Sequence, residues 1–374
     1  MVRSLQPLPR WHPIDPAGDG VRRARIRSFS EMNDGQLEPP CDLASKVRYL
    51  VEVLSPRDGP VETLETHMSW LVLGRAEVFK LKKPERVSFL DLSTLNARER
   101  NAREEVRLNR RLAPTVYLGV LALTWNGRTF ALHPADVPGP KAVTVDWVVH
   151  MRRLPADRML DTLIGKDGVS VADVAALADV LVSFYRAVRT VRLDGEGVLN
   201  RMRQEHGENR RVLLDPRFVH SSWHPVLQRY EASMGAQAGN LAARASDGSF
   251  REGHGDLRPE HVCILAAPVV IDCLEFDSQL RELDPFDEIA FLGLECAMLN
   301  APWIGSLLSK RCAASLDEPP APLFHVYTAR RALLRARLMV AHLLDPSPRT
   351  PERWLPRADA YIDAASRALT RLDR

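Results

Sequence analysis

Leu43, Val47, Leu50, Val51 and Leu54 recur at helical spacing between Asp42, placed to cap, and Pro56, and predict a short leading helix. VETLE, THMSWLVL and AEVFKLKK follow as short apolar or alternating runs separated by Gly74 and its neighbours, the pattern of three antiparallel strands. Ser93 is positioned to cap a long helix reaching Leu112, with Glu99 and Arg103 at an i, i+4 spacing and Ala113-Pro114 closing it. YLGVLALTW, RTFALH and TVDWVVHM read as further strands, so the first folded part is a small sheet with one helix inserted. From Ala156 to about Arg244 the apolar positions turn helical. This second part is interrupted once, by GHGDLRPEHVCILAAPVVIDCLEF, a polar loop followed by two short strands around Ala267-Pro268. Helices then run to the end, broken by DEPPAP and DPSPRTP. The expected class is α+β: a small antiparallel sheet with one helix, then a larger, mainly helical lobe.

Composition narrows the partners. At 374 residues, 45% hydrophobic and 26% charged, the chain is long and apolar enough for two lobes with sizeable cores. Its 51 basic and 48 acidic residues nearly cancel, and the arginines are scattered, which argues against nucleic acid as a partner. No stretch offers eighteen apolar residues without charge, so no membrane association is expected. Five cysteines, odd in number and without a CxxC, point to a reducing cytoplasm. Residues 1–40, with Pro7, Pro9, Pro13, Pro16, Pro39, Pro40 and the basic run VRRARIR, read as a flexible extension. Lysine is rare at seven positions, and three of the seven fall in KLKK, where a compact point charge serves better than a planar fork.

Two carboxylates carry the first chemical signal. Asp256 follows His254 and Gly255 in the polar loop, and Asp272 ends the strand VVID sixteen residues later. Carboxylates delivered by neighbouring loop and strand ends can divide labour, one accepting a hydroxyl proton and one holding a hard divalent cation. In FKLKK, alternation puts Lys80 and Lys82 on one face and Phe79, Leu81 and Lys83 on the other.

The order of these parts resembles the aminoglycoside phosphotransferase and choline kinase branch of the protein-kinase-like superfamily. ETHMSW, VFKLKKP, EEVRLNRRLAP and HGDLRPEHV are similar to an uncharacterised bacterial group of aminoglycoside phosphotransferase family enzymes, over residues 42–345. The resemblance implies a two-lobe kinase-like fold with an N-lobe over 41–152 and a C-lobe over 153–374. It implies an ATP-dependent phosphotransferase acting on a hydroxyl of a small-molecule acceptor, with ATP and Mg2+ or Mn2+ bound. Lys82 becomes the nucleotide lysine, with Lys80 as the alternative, and Glu105 its helix partner, with Glu104 as fallback. Thr66 and Ser69 fall where phosphate is covered, although no glycine-rich loop is present, and Met151 to Leu154, including Arg153, fall where adenine is held by backbone. Asp256 becomes the base and Asp272 the main metal ligand, while His254 organises the loop. Asp284, Asp287 and Glu288 support the fold by capping and helix-end charge.

One departure stands out. Five residues after Asp256 the family has asparagine at a second-metal position, and here the residue is His261. Imidazole nitrogen is a softer donor, better suited to manganese than magnesium. Glu260 and Glu275 are the nearby oxygen donors that could compensate. The alternative reading is a nucleotide-binding regulatory module whose catalysis faded with that exchange. The acidic residues of the helical lobe are compatible with a cationic acceptor, or with pairing to the abundant arginines.

Overall fold

The structure, a computed structural model, describes residues 42–374 apart from 88–89, 138–141, 219, 346–347, 349 and 374, together with Arg22 and Arg23. The expected extension over 1–40 therefore lies outside the described residues but for that pair. The chain divides into two compact units, Met1–Pro155 and Ala156–Arg374.

In the first unit, α1 (Leu43–Asp58) starts where Asp42 Oδ1 accepts from the Ser45 N–H at 2.6 Å. It continues two residues beyond Pro56, whose ring removes one backbone donor from the last turn. Strands β1 (Glu62–Glu65), β2 (Ser69–Leu73) and β3 (Glu77–Lys82) form the expected meander. After α2 (Leu95–Asn109) come β4 (Tyr117–Trp125), β5 (Phe130–Pro134) and β6 (Val143–Arg152). The antiparallel sheet runs β1-β2-β3-β6-β4-β5, with Arg22–Arg23 on the outer edge of β1.

The N-cap of α2 is Thr94, whose hydroxyl accepts from Ala97 N–H at 3.2 Å; the neighbouring Ser93 instead donates its hydroxyl to Asp91 Oδ1. Val47, Leu50 and Leu54 of α1 pack on Val72, Phe79, Leu81, Leu123 and Val148 of the sheet. Each such leucine, buried completely, contributes about 2 kcal/mol. A buried carboxylate ties both helices to the same strand: Asp146 of β6 binds Lys46 Nζ at 2.8 Å and Arg98 Nε at 2.7 Å.

The second unit holds α3 (Leu160–Ile164), α4 (Val171–Ala187), α5 (Gly195–Leu213), α6 (Trp223–Ala236) and α7 (Ala238–Asp247). The polar loop follows, leading to a two-stranded ribbon of β7 (Val262–Cys263) and β8 (Val269–Val270) in antiparallel register. Then come α8 (Pro285–Met298), α9 (Pro302–Ala313), α10 (Ala321–Ala341) and α11 (Trp354–Thr370). Asp284 caps α8 through the Phe286 N–H at 2.9 Å, and Pro285 occupies the first turn, where no donor is needed. Helix α8 is buried along nearly its whole length, which is what lets its side chains reach the polar loop. Among the described residues no helix is long and apolar enough to cross a membrane.

Candidate active site

In the first unit the lysine strand and the long helix meet at one carboxylate. Glu105, fully buried, takes Lys80 Nζ on Oε1 at 2.7 Å and Lys82 Nζ on Oε2 at 2.7 Å. Strand alternation explains the arrangement, because residues two apart project from the same face and both ammonium groups come to the same helix. Lys82, the expected nucleotide lysine, and Lys80, its alternative, thus both pair with Glu105. Glu104, the fallback, faces outward and binds Arg107 with both oxygens, at 2.7 and 2.8 Å.

Thr66 and Ser69 close the β1–β2 turn. The Thr66 hydroxyl accepts from Ser69 N–H at 2.9 Å and donates to Ser69 O at 3.0 Å, so it is engaged inside the hairpin. Ser69 itself is buried opposite Lys82 in the strand register. Met151 is buried between Val78 and Tyr117. Two of the backbone donors that follow it are taken up within the unit, Arg152 N–H by Val116 O and Arg153 N–H by Ala76 O, each at 2.8 Å. The Arg153 guanidinium reaches Gly74 O at 2.7 Å and so braces the turn between β2 and β3.

In the second unit the polar loop is organised by a residue far along the chain. Glu288 of α8, fully buried, accepts His254 N–H at 3.0 Å, Gly255 N–H, and the Tyr185 hydroxyl at 2.7 Å. Burial pushes its carboxyl above the ordinary value, against the pull of those donors. The approach demands glycine at 253, where an added Cβ would stand 2.5 Å from Glu288 Oε2. Gly255 has φ +92°, a left-handed conformation that glycine adopts freely.

His254 lies in the core of this arrangement. Its Nε2 is 2.9 Å from Ile271 O, and Asp256 N–H donates to its Nδ1 at 3.3 Å, which defines a neutral ring with the proton on Nε2. Burial, reinforced by His261, lowers its pKa to about 4.

Asp256 keeps a quarter of its side chain exposed, at 24%, and is bound through Oδ2 by the Arg258 guanidinium at 2.9 Å. Burial pushes its carboxyl up, but Arg258, His261, Arg335 and His254 together outweigh this, and the net direction is downward. Arg258 is buried and binds Glu260 Oε1 at 2.8 Å with its other arm, so Glu260 serves as a brace.

His261 is buried beside them, with Nδ1 2.8 Å from the Asp256 carbonyl and Nε2 3.7 Å from Asp272 Oδ2. Asp272 is the more open group, 41% exposed, and its backbone is left-handed at φ +62°. Its carboxylate suits a hard divalent cation, and His261 Nε2 is the neighbouring donor. Among the described residues no group of three His, Cys, Asp or Glu side chains could hold a metal, so phosphate oxygens and water would complete such a shell. Glu260, Arg258 and Glu288 thus act on the loop in ways that capping arguments do not capture; only the first two lie inside the HGDLRPEHV string, and Glu288 has no local signal.

Four further acids of the helical unit are paired with arginine. Asp284 binds Arg244 at 2.5 Å, Asp287 binds Arg330 at 2.6 Å and Arg331 at 2.8 Å, Glu295 binds Arg335 at 3.2 Å, and Glu205 binds Arg330 at 2.6 Å.

Comparison with known proteins gives the fold a name. The chain is 30% identical over 285 residues to uncharacterised proteins of Mycobacterium bovis and Mycobacterium tuberculosis, covering 74% of this chain and 54% of each relative. It therefore spans about half the length of the curated relatives it matches. No family model matches. Among solved structures it is similar to an aminoglycoside phosphotransferase in complex with GDP and kanamycin, at TM-score 0.53 and 13% identity over 86% of this chain and 98% of that one. A choline/ethanolamine kinase family protein from Mesorhizobium loti gives 0.52 and 16% over 87% and 98%. Choline kinase from Cryptosporidium parvum gives 0.52 and 12% over 87% and 96%. The fold is the protein-kinase-like two-lobe fold that aminoglycoside phosphotransferases and choline kinases share.

Proposed function

We propose that the protein is an ATP-dependent phosphotransferase acting on a hydroxyl of a small molecule. The observation that carries this reading is the polar loop: a partly exposed Asp256 carboxylate kept ionised by Arg258, with His261 between it and Asp272, 3.8 Å from the one and 3.7 Å from the other. In the transfer, the acceptor oxygen attacks the γ-phosphorus, the bond to the β-phosphate oxygen breaks, and the hydroxyl proton passes to Asp256. Lys82 and Lys80, fixed by Glu105, hold phosphate oxygens, and Asp272 with His261 holds the divalent cation. When bound, that cation neutralises phosphate charge. Nucleotide binding is supported by the GDP-bound aminoglycoside phosphotransferase that shares the fold.

The Arg258–Asp256 pair also favours the second reading, a nucleotide-binding regulatory module, since a carboxylate held below its ordinary pKa is a weak base. One experiment separates the two. The full chain is incubated with ATP or GTP, Mg2+ or Mn2+, and a metabolite panel, and nucleotide consumption is followed together with a mass gain of one phosphoryl group. Both signals on one metabolite support transfer; nucleotide binding with neither signal across the panel supports the regulatory module.

A further inference from the structure

Of the nine asparagines in the sequence, Asn126 is the one followed by glycine, and the pair opens the turn between β4 and β5. The last strand pair is Trp125 with Phe130, and the turn closes with the Asn126 N–H donating to Thr129 O at 3.3 Å. Gly127 lies at φ +94°, a left-handed conformation that glycine adopts at no steric cost. Residues Asn126, Gly127, Arg128 and Thr129 are all exposed. A Cβ built on Gly127 would meet nothing within 4 Å, so the main chain at this point is open to water and hydroxide.

The side chain of Asn126 is turned back onto this loop. Its Oδ1 accepts two backbone N–H groups, those of Arg128 and Thr129, each at 2.9 Å. Two donors on one amide oxygen draw charge from Cγ, and they already stand where an oxyanion would form if that carbon were attacked. The chain supplies the nucleophile, because Gly127 N closes a five-membered ring when it bonds to Asn126 Cγ, an intramolecular step. Glycine brings no side chain to crowd the attack, and among the described residues the Gly127 N–H donates to no other group.

We propose that Asn126 is a self-modification site, converted to aspartate and isoaspartate at least as fast in the folded chain as in the unfolded one. Gly127 N loses its proton to hydroxide and bonds to Cγ while Oδ1 takes up negative charge between the Arg128 and Thr129 N–H groups. The Cγ–Nδ2 bond then breaks, Nδ2 leaves as ammonia, and a cyclic imide remains. Water opens the ring at either carbonyl. Aspartate presents a carboxylate to the same two donors and keeps the turn. Isoaspartate adds one methylene to the main chain and displaces Phe130, whose ring lies 4.7 Å from Trp125 and 5.5 Å from Tyr49 of α1. The site lies outside the phosphotransferase reading, needs no nucleotide, metal or acceptor, and stands or falls apart from transfer.

The test incubates the full wild-type chain in mildly alkaline buffer at body temperature, once folded and once in concentrated urea. Peptides spanning the asparagines are followed for a gain of one mass unit and for labelling by an isoaspartyl methyltransferase. The Asn126 peptide should gain mass first, and its rate in the folded chain should equal or exceed that in urea. Asn126→Asp should unfold at the same temperature as fresh wild type, whereas the purified isoaspartate fraction should unfold at a lower one. Three results would overturn the proposal. One is no gain at Asn126, or a gain led by another asparagine. Another is a slower gain in the folded chain than in urea, which would mean that the two N–H groups lock the carboxamide away from Gly127. The last is an isoaspartate fraction as stable as Asn126→Asp, which would remove its effect on the hairpin.

Discussion

In the N-terminal unit the charged centre is made by side chains that meet directly, two lysines of one strand each reaching one oxygen of Glu105. In the helical unit Asp256 is presented by a loop whose backbone is held by Glu288, 34 residues beyond His254, and whose carboxylate is bound by Arg258. The first arrangement contains a spare: remove either lysine and the carboxylate keeps a partner. In the second, one carboxylate, Glu288, takes both the His254 and Gly255 N–H groups, and one guanidinium, Arg258, binds both Asp256 and Glu260. Redundant pairs tolerate substitution, and singular loops do not.

The sharpest way to break that contrast is Asp256→Asn. The amide cannot accept the acceptor's proton, so transfer is expected to fall on the order of a hundredfold or more, with nucleotide affinity and unfolding temperature nearly unchanged. Steady-state turnover alongside nucleotide titration checks this; full turnover in the variant would remove Asp256 from the role of base.

His254 tests the loop through stability. With a folded-state pKa near 4 against an ordinary 6.5, the folded chain excludes a proton that the unfolded chain takes up. Stability from this residue is therefore complete above pH 6.5 and declines as pH falls toward 4, by up to about 3 kcal/mol. Denaturant unfolding of wild type and His254→Gln across that range is the measurement, and the variant should show the flatter profile.

The lysine pair should respond more gently. Lys82→Met is expected to weaken nucleotide binding about tenfold, the cost of one charged hydrogen bond, and Lys80→Met less. The double variant should lose more than the two single losses combined, because in each single variant the remaining lysine still holds Glu105. Strict additivity in a calorimetric cycle would mean the two lysines work independently and the spare does not exist.

The smallest effect concerns His261. If its Nε2 joins Asp272 at the cation, His261→Asn should move the manganese-to-magnesium preference several-fold toward magnesium, with unfolding temperature measured alongside. An unchanged ratio with altered stability would assign His261 to the loop through its 2.8 Å contact with the Asp256 carbonyl.

What could be read in the sequence follows the range of the forces involved. Glu105 came from the family resemblance, with Glu104 beside it as the fallback, whereas the strand alternation that puts Lys80 and Lys82 on one face is a local periodicity and was legible. So were the two strands around Ala267-Pro268, which pair as β7 and β8. The α2 cap moved by one residue, from Ser93 to Thr94, because Asp91 competes for the serine, a contact of the folded turn that composition does not announce. Glu288 reads as a helix-end charge in sequence, and only burial of α8 reveals that its carboxylate holds the loop. Likewise His206 and Asn209 sit in an ordinary amphipathic stripe until tertiary packing seals them.

Asp272 carries one more consequence. Its left-handed backbone at φ +62° is a conformation that a residue with a side chain holds at a cost, on the order of 1 kcal/mol, and that glycine holds without it. A laboratory lineage screened only for survival at high temperature would be drawn toward glycine at this position, and the carboxylate would be lost with no warning in yield or solubility. Selection for heat tolerance and selection for chemistry would then pull position 272 in opposite directions, which makes it a place where the history of the chain is recorded in a single torsion angle.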